Sequence, residues 1–379
     1  MKKLFLSAVL CLLGLFSALT FGAAKDGEVT VGVTLPLTGD LAFSGQQVRQ
    51  GMNMAVEEIN ENGGILGKTL KLDFQDDKRD PTEGANTYQL LKGRGYPIII
   101  GSLTSGVTAG IAAKADVDKI PVLTPTGTAD MLTEGKSFMF RACFVDSYQG
   151  KIVAQFASET LKVKKAAVLY CSADEYSLGL YESFATACKS FGIEIVEKEI
   201  STTMTDVDYS AQLSKIKESG AEMIFLPYYY GTAALIVVQA REAGFTGALI
   251  GADGWSSIGT KVGDNVEMFK DCYFTNHYSV EDPDPAVQNF VKKYLAKYSA
   301  DTLTSGAALG YDCVYIAAQA MTEAGTTTDR EKIAEALRKI KFSGTSGTFT
   351  LEGGNPQKSV VIIGLVDGQE KWITTVKPN

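Results

Sequence analysis

From Glu28 onward the chain alternates short apolar runs with longer runs of helical period, and this rhythm limits the fold more than any other feature. EVTVGVTLPLTGD sets Val29, Val31, Val33 and Leu35 among small residues, the period-two pattern of a strand. QQVRQGMNMAVEEINENGG places Val48, Met52, Ala55, Val56 and Ile59 on one helical stripe and stops at Gly63-Gly64, a helix-ending signal. LKLDFQDD, YPIIIGSL and IPVLTPT read as the second, third and fourth strands, with a helix opening near Pro81 between the first two of these. Strands separated by helices at such spacing pair in parallel through right-handed crossovers.

Past FMFRACFVDSYQG the rhythm restarts. KIVAQFASETL, LGLYESFATACKSF, YSAQLSKIKESG and AALIVVQAREAG are helices that alternate with the strands KAAVLYCSADEY, IEIVEKEI, EMIFLPYYY and GALIGADGW. Two open sheets in series predict an α/β protein of two Rossmann-like lobes, and 379 residues exceed what one core usually supports. The later helices DPAVQNFVKKYLAKYS, SGAALGYDCVYIAAQAMTEAG and DREKIAEALRKI, and a hairpin turning at Asp367-Gly368, must be shared between the lobes. CYFTNHYS and FSGTSGTF are the segments expected to carry the chain across.

The first 24 residues stand apart. Lys2 and Lys3 precede an apolar run that ends in small residues, Gly22 and Ala24, as an export leader does. Lipidation at Cys11 is disfavoured by the bulk of Leu10 and by a cut that would split the apolar run. The net charge of −8 becomes −10 once Lys2 and Lys3 leave, so an acidic mature protein is a poor partner for nucleic acid. Cys143, Cys171, Cys188, Cys272 and Cys313 follow the leader at irregular spacing with no CxxC, and read as buried thiols.

Enzymatic signatures are sparse. His277 is the one histidine, without a serine or cysteine motif around it, and GxxxxGK[ST], GxGxxG after the first strand and GxSxG are missing. No cofactor or metal is expected. Asp73, Asp76 and Asp77, beside Lys78 and Arg79, read as a solvated loop. A periplasmic hydrolase therefore lacks a histidine-assisted nucleophile, and a sensor ectodomain lacks a second membrane segment.

In open parallel sheets ligands bind outside the carboxyl ends of the strands. Leu103-Thr104-Ser105-Gly106 ends the third strand and opens a helix, so hydroxyls and free backbone N–H groups favour a carboxylate there. Thr124-Pro125-Thr126-Gly127-Thr128 ends the fourth and would complete that cradle. Asp174-Glu175-Tyr176, Tyr228-Tyr229-Tyr230 and Ala252-Asp253-Gly254-Trp255 bring acids and aromatics from the second lobe. Donors on one side and an acid on the other suit a zwitterion.

GVTLPLTGDLAFSGQQVRQGMNMAVEEINENGGILGKTLKLDFQDDKRDP, IIGSLTSG, LTPTGTAD and GADGW together resemble the periplasmic leucine/isoleucine/valine-binding proteins that serve ABC transporters, over nearly the whole mature chain. The resemblance implies an exported monomer with lobes joined by three crossings, near Val145, Asn276 and Gly344. Residues 26–145 with 276–343 would form the N-terminal lobe, and 146–275 with 344–379 the C-terminal one. A small amino acid, branched-chain by preference, would sit in the cleft and pass to a membrane ABC permease. Another small amide, an aromatic amino acid or a carboxylate is the alternative ligand. Ser105 and Thr128 would meet the ligand carboxylate with the backbone of Leu103 and Thr126 beside them. Asp253 and Tyr229 would meet the ammonium, and Tyr176 and Phe43 would flank the cleft. Arg79 and Thr104 stand where some relatives have a disulfide, and Ala308 where a bulky residue can line the side-chain pocket.

Overall fold

A computed structural model describes residues 27–377, so the expected leader and Cys11 lie outside the described residues. In the first lobe β1 (Glu28–Leu35), α1 (Ala42–Glu61), β2 (Thr69–Asp76), α2 (Pro81–Gly93), β3 (Ile99–Ile100), α3 (Ser105–Asp118), β4 (Val122–Thr124) and β5 (Met139–Arg141) follow in turn. The sheet runs β2-β1-β3-β4-β5, and every pairing is parallel. The second lobe repeats the plan with α4 (Asp146–Glu159), β6 (Lys165–Cys171), α5 (Glu175–Phe191), β7 (Glu194–Ser201), α6 (Ser210–Glu218), β8 (Met223–Phe225), α7 (Tyr230–Glu242), β9 (Ala248–Gly251) and β10 (Cys272–Asn276).

The later helices α8 (Pro285–Leu295), α9 (Ser305–Glu323) and α10 (Arg330–Lys339) precede the strands β11 (Lys341–Gly344), β12 (Gly347–Glu352), β13 (Asn355–Pro356), β14 (Val360–Val366) and β15 (Gln369–Val376). Within the order β15-β14-β10-β9-β8-β6-β7 the five strands from β6 to β10 reproduce the first sheet's sequence of neighbours. The hairpin β14–β15 adds an antiparallel edge that makes this sheet mixed rather than wholly parallel. Its turn falls at Asp367-Gly368, both at positive φ, as the sequence predicts. In each lobe the strand order reverses between the first and third strands, so the two switch points face the same cleft.

The α8 and α9 helices return to the first lobe. Lys293 pairs with Glu58, and α9 lies against α1 at glycine contacts: a Cβ on Gly51 would meet the Ala307 carbonyl at 1.9 Å, and one on Gly310 the Val48 carbonyl at 2.4 Å. The third crossing comes later than Gly344. The strands β11 to β13 form a small antiparallel sheet that stays with the first lobe, because Arg141 N donates to Gly354 O at 3.0 Å. Thr345 N and Ser346 N donate to the buried Asp312 of α9. We place the crossing at 357–359, where the buried Lys358 donates to Ala142 O at 3.2 Å and so ties the third connection to the first.

Candidate functional site

The first lobe's wall of the cleft is built where β3 and β4 end. Ser105 opens α3, and the first-turn N–H groups of a helix have no partner within it. The Ser105 side chain is buried and accepts from Ala129 N at 3.2 Å, while Thr126 Oγ1 donates to Leu103 O at 2.7 Å. The threonine row is largely scaffold. Thr124 Oγ1 donates to Ser102 O at 2.7 Å and accepts from Gly127 N at 2.9 Å, tying the two strand ends together. Beneath them the buried Arg141 donates to Gly127 O and Ala129 O, both at 2.9 Å, and burial holds its guanidinium below its usual pKa.

The second lobe offers a carboxylate. Asp253 follows β9, and the surrounding sequence GADGW explains how it is held. A Cβ on Gly251 would strike the Trp255 indole, whose Nε1 donates to Leu226 O at 2.9 Å. Gly254 lets its N–H reach the Tyr176 hydroxyl at 2.7 Å, and that hydroxyl donates to Asp253 Oδ1 at 2.9 Å. From α4, Gln149 Nε2 donates to the same oxygen at 3.1 Å while Gln149 Oε1 accepts from Asp253 N at 2.8 Å. His277 Nε2 lies 3.1 Å from Asp253 Oδ2, and the imidazole stacks on Phe144 with centroids 3.8 Å apart. Burial lowers the His277 pKa, although Asp253 opposes the shift.

Burial also shifts the titratable groups around Asp253. Asp146 is fully buried, and burial, followed by the nearby Asp253, pushes its carboxyl well above the usual range. Tyr176 and Tyr229 stack at 5.1 Å, and burial holds both phenols far above their ordinary pKa, so they stay as neutral hydroxyls. The Tyr229 hydroxyl is buried without a protein partner. Arg79 of the first lobe reaches over the Tyr229 ring at 4.7 Å and approaches Asp174 of the second at 3.6 Å.

One cavity of ≈ 60 Å³ gathers Leu103, Ser105 and Thr126 from one lobe with Tyr176, Tyr229 and Asp253 from the other. Three expected residues lie outside it. Thr104 lines a groove beyond the rim beside Arg79. Thr128 is buried at the first crossing, where its carbonyl accepts from Asp146 N at 3.0 Å. Phe43 packs toward Tyr230, with centroids 6.2 Å apart. Ala308 is sealed in the core between α1 and α9, and Thr304, Ser305 and Gly306 line the cavity in its place.

Gln47 and His277 also line the cavity, with Gln149 behind Asp253. The sequence signal for His277 is its place just past β10, another strand end on the cleft side. The acids Asp76 and Asp77, where β2 ends, form a pinned corner and not a solvated loop: Asp77 is fully buried and accepts from Ser102 Oγ at 2.6 Å, and Asp76 accepts from Leu37 N at 2.8 Å. Among the described residues no group of three or more His, Cys, Asp or Glu side chains is arranged to hold a metal. Among the described residues the five cysteines, Cys143, Cys171, Cys188, Cys272 and Cys313, are buried and free.

The family described as periplasmic binding protein matches residues 28–369. A Leu/Ile/Val-binding protein homolog of Brucella melitensis is 31% identical over 339 residues, covering 87% of this chain and 89% of the relative. The crystal structure of a leucine binding protein, LivK, from Thermotoga maritima superposes with a TM-score of 0.86 at 32% identity, over 92% of this chain and 99% of that one. The LivJ substrate binding protein of Streptococcus pneumoniae, in complex with isoleucine, has a TM-score of 0.85 at 30% identity, over 93% of this chain and 100% of its own.

Proposed function

This chain belongs to the periplasmic binding protein family, and from that membership we propose that it captures a small amino acid of the branched-chain class between its lobes and hands it to a membrane ABC permease. The observation that carries this reading is the placement of Asp253 across one cavity from Ser105 and the amino-terminal end of α3. A helix amino terminus favours a carboxylate, through free N–H groups and the helix dipole. The ammonium then lies toward Asp253, with the buried Tyr229 hydroxyl as a neutral acceptor beside it. Two opposite charges set apart in this way select a zwitterion over a simple acid or a simple amine.

We read the site as one of binding and not of catalysis, in keeping with a family of periplasmic binding proteins. A monomer belongs to the same reading. Export through the leader to the periplasm belongs to the same proposal, as homologues named for leucine, isoleucine and valine belong to this family. A thermal-shift screen of the purified protein against the twenty amino acids tests the reading. A ligand at 100 times its Kd adds about 2.7 kcal/mol to native stability. At least one branched-chain amino acid is expected to raise the melting temperature. The reading fails if leucine, isoleucine and valine all leave it unmoved while an unrelated solute raises it.

A further inference from the structure

The part of the cavity lined by α1 and the start of α9 is largely polar, which is unusual for a pocket that would receive a hydrocarbon side chain. Ser44, Gln47 and Val48 face it from α1, Thr304, Ser305 and Gly306 from the start of α9, and Ser256 from the second lobe. Val48 and Leu103 are the aliphatic residues of the lining. Gln47 is 2% exposed; its Nε2 donates to Ser257 Oγ at 3.2 Å and its Oε1 accepts from Thr304 Oγ1 at 3.0 Å. A primary amide has two N–H donors, so one remains beyond the bond to Ser257. Across the cleft Ser305 Oγ donates to Ser256 Oγ at 3.0 Å, which leaves the Ser256 hydroxyl hydrogen for a further acceptor.

We propose that this part of the cavity is a subsite for a ligand side chain that carries a hydroxyl, and that the protein therefore prefers threonine to valine. The proposal rests on the reading that the cavity holds an amino acid by its carboxylate and ammonium. Threonine and valine have the same shape, one methyl of valine being replaced by the hydroxyl. The methyl they share packs toward Val48. The position that differs meets the Gln47 amide and the Ser256 hydroxyl.

A hydroxyl there accepts from the unused donors and can donate back. A methyl would press against them and leave them without water or partner. Discrimination in this direction is steep, since a site built to hydrogen-bond a hydroxyl rejects the analogue lacking it far better than an apolar pocket rejects an added hydroxyl. The subsite is also stiff, because α1 and α9 meet backbone to backbone at Gly51 and Gly310 and cannot slide to widen it.

Calorimetric titration of the purified protein with threonine and valine, and with serine and alanine as a shorter pair, tests this. Threonine is expected to bind at least tenfold more tightly than valine, and serine more tightly than alanine. In Gln47→Leu the preference for threonine over valine should fall to less than threefold. Ser256→Ala, on the other lobe, should lower it in the same direction, so a folding defect in one variant leaves the other decisive. Valine binding as tightly as threonine in the wild-type protein overturns the subsite while leaving the amino-acid reading intact. If none of threonine, valine, leucine and isoleucine binds, that reading fails and the subsite with it.

Discussion

Asp253 is held on three sides before any ligand arrives, by Tyr176, Gln149 and His277. Its removal therefore affects both binding and folding. Truncating one partner of a buried charge pair costs about 3–5 kcal/mol, and a decade of affinity is about 1.4 kcal/mol. Calorimetry on Asp253→Ala should show amino-acid binding weakened about a hundredfold or more, and Asp253→Asn nearly as much, since the amide keeps an acceptor but no charge. Urea denaturation of the free Asp253→Ala protein should show a loss of about 1–3 kcal/mol, because the Tyr176 and Gln149 donors lose their acceptor.

His277 adds a pH signature. Its folded pKa lies below the ordinary 6.5, since burial outweighs the attraction of Asp253 and Lys358 adds a further downward push. Below about pH 6.5 the unfolded chain takes up a proton that the native state refuses. The histidine therefore subtracts stability as pH falls through that window, by at most about 1.4 kcal/mol per pH unit. The stability gap between wild type and His277→Gln should change with pH below 6.5 and stay constant above it. A gap that is flat throughout would show that His277 titrates as freely in the fold as out of it. At this scale the residues past strand ends that the sequence singled out, Ser105, Tyr176 and Asp253 among them, line one cavity. The sequence concealed Gln149, which lies well past the end of β5 and 104 positions from the carboxylate it clamps.

Among the elements, the contact of α1 with α9 carries the most consequence, because it fixes Gln47 against Thr304. Alanine at Gly51 would place its Cβ 1.9 Å from a carbonyl oxygen, and backbone cannot swing away as a flexible side chain can. Gly51→Ala should lower stability by about 1–3 kcal/mol despite alanine's better helix propensity, as judged by chemical denaturation. Gly110, inside α3, has nothing within 4 Å of a would-be Cβ. Gly110→Ala should instead raise stability by up to about 1 kcal/mol. Equal effects at the two sites would contradict the packing described. The strand and helix rhythm was legible because burial imposes periods of two and 3.6 on any sequence. The third crossing was not, since FSGTSGTF looks like a connector, while its hairpin is held to the first lobe by Arg141 and Asp312, far away in sequence.

The whole molecule is two lobes on three connections, with contacts that span the cleft: Arg79 to Asp174, Gln47 to Ser257 and Ser305 to Ser256. Each bond is made only when the lobes meet, so ligand and latch favour the same closed arrangement. Small-angle scattering should give a smaller radius of gyration at saturating amino acid than without it. Arg79→Ala, which loses both Asp174 and the Tyr229 ring, should bind several-fold more weakly with little change in which amino acid is preferred. The doubled strand order was foreseeable from the sequence as architecture. The latches were not, because Arg79 reads as a solvated residue until the second lobe is placed opposite it.

The central claim is that the cleft holds a zwitterion, its carboxylate at Ser105 and its ammonium at Asp253. The most direct test is calorimetric titration of the wild-type protein with its best-bound amino acid beside two analogues of that molecule, one lacking the amino group and one lacking the carboxyl group. Loss of the ammonium leaves Asp253 buried without its cation, and loss of the carboxylate leaves the start of α3 without its anion. Each analogue should bind at least a hundredfold more weakly than the amino acid. Binding of the des-amino acid within tenfold of the parent would contradict the account, because Asp253 would then not be the seat of the ligand's charge.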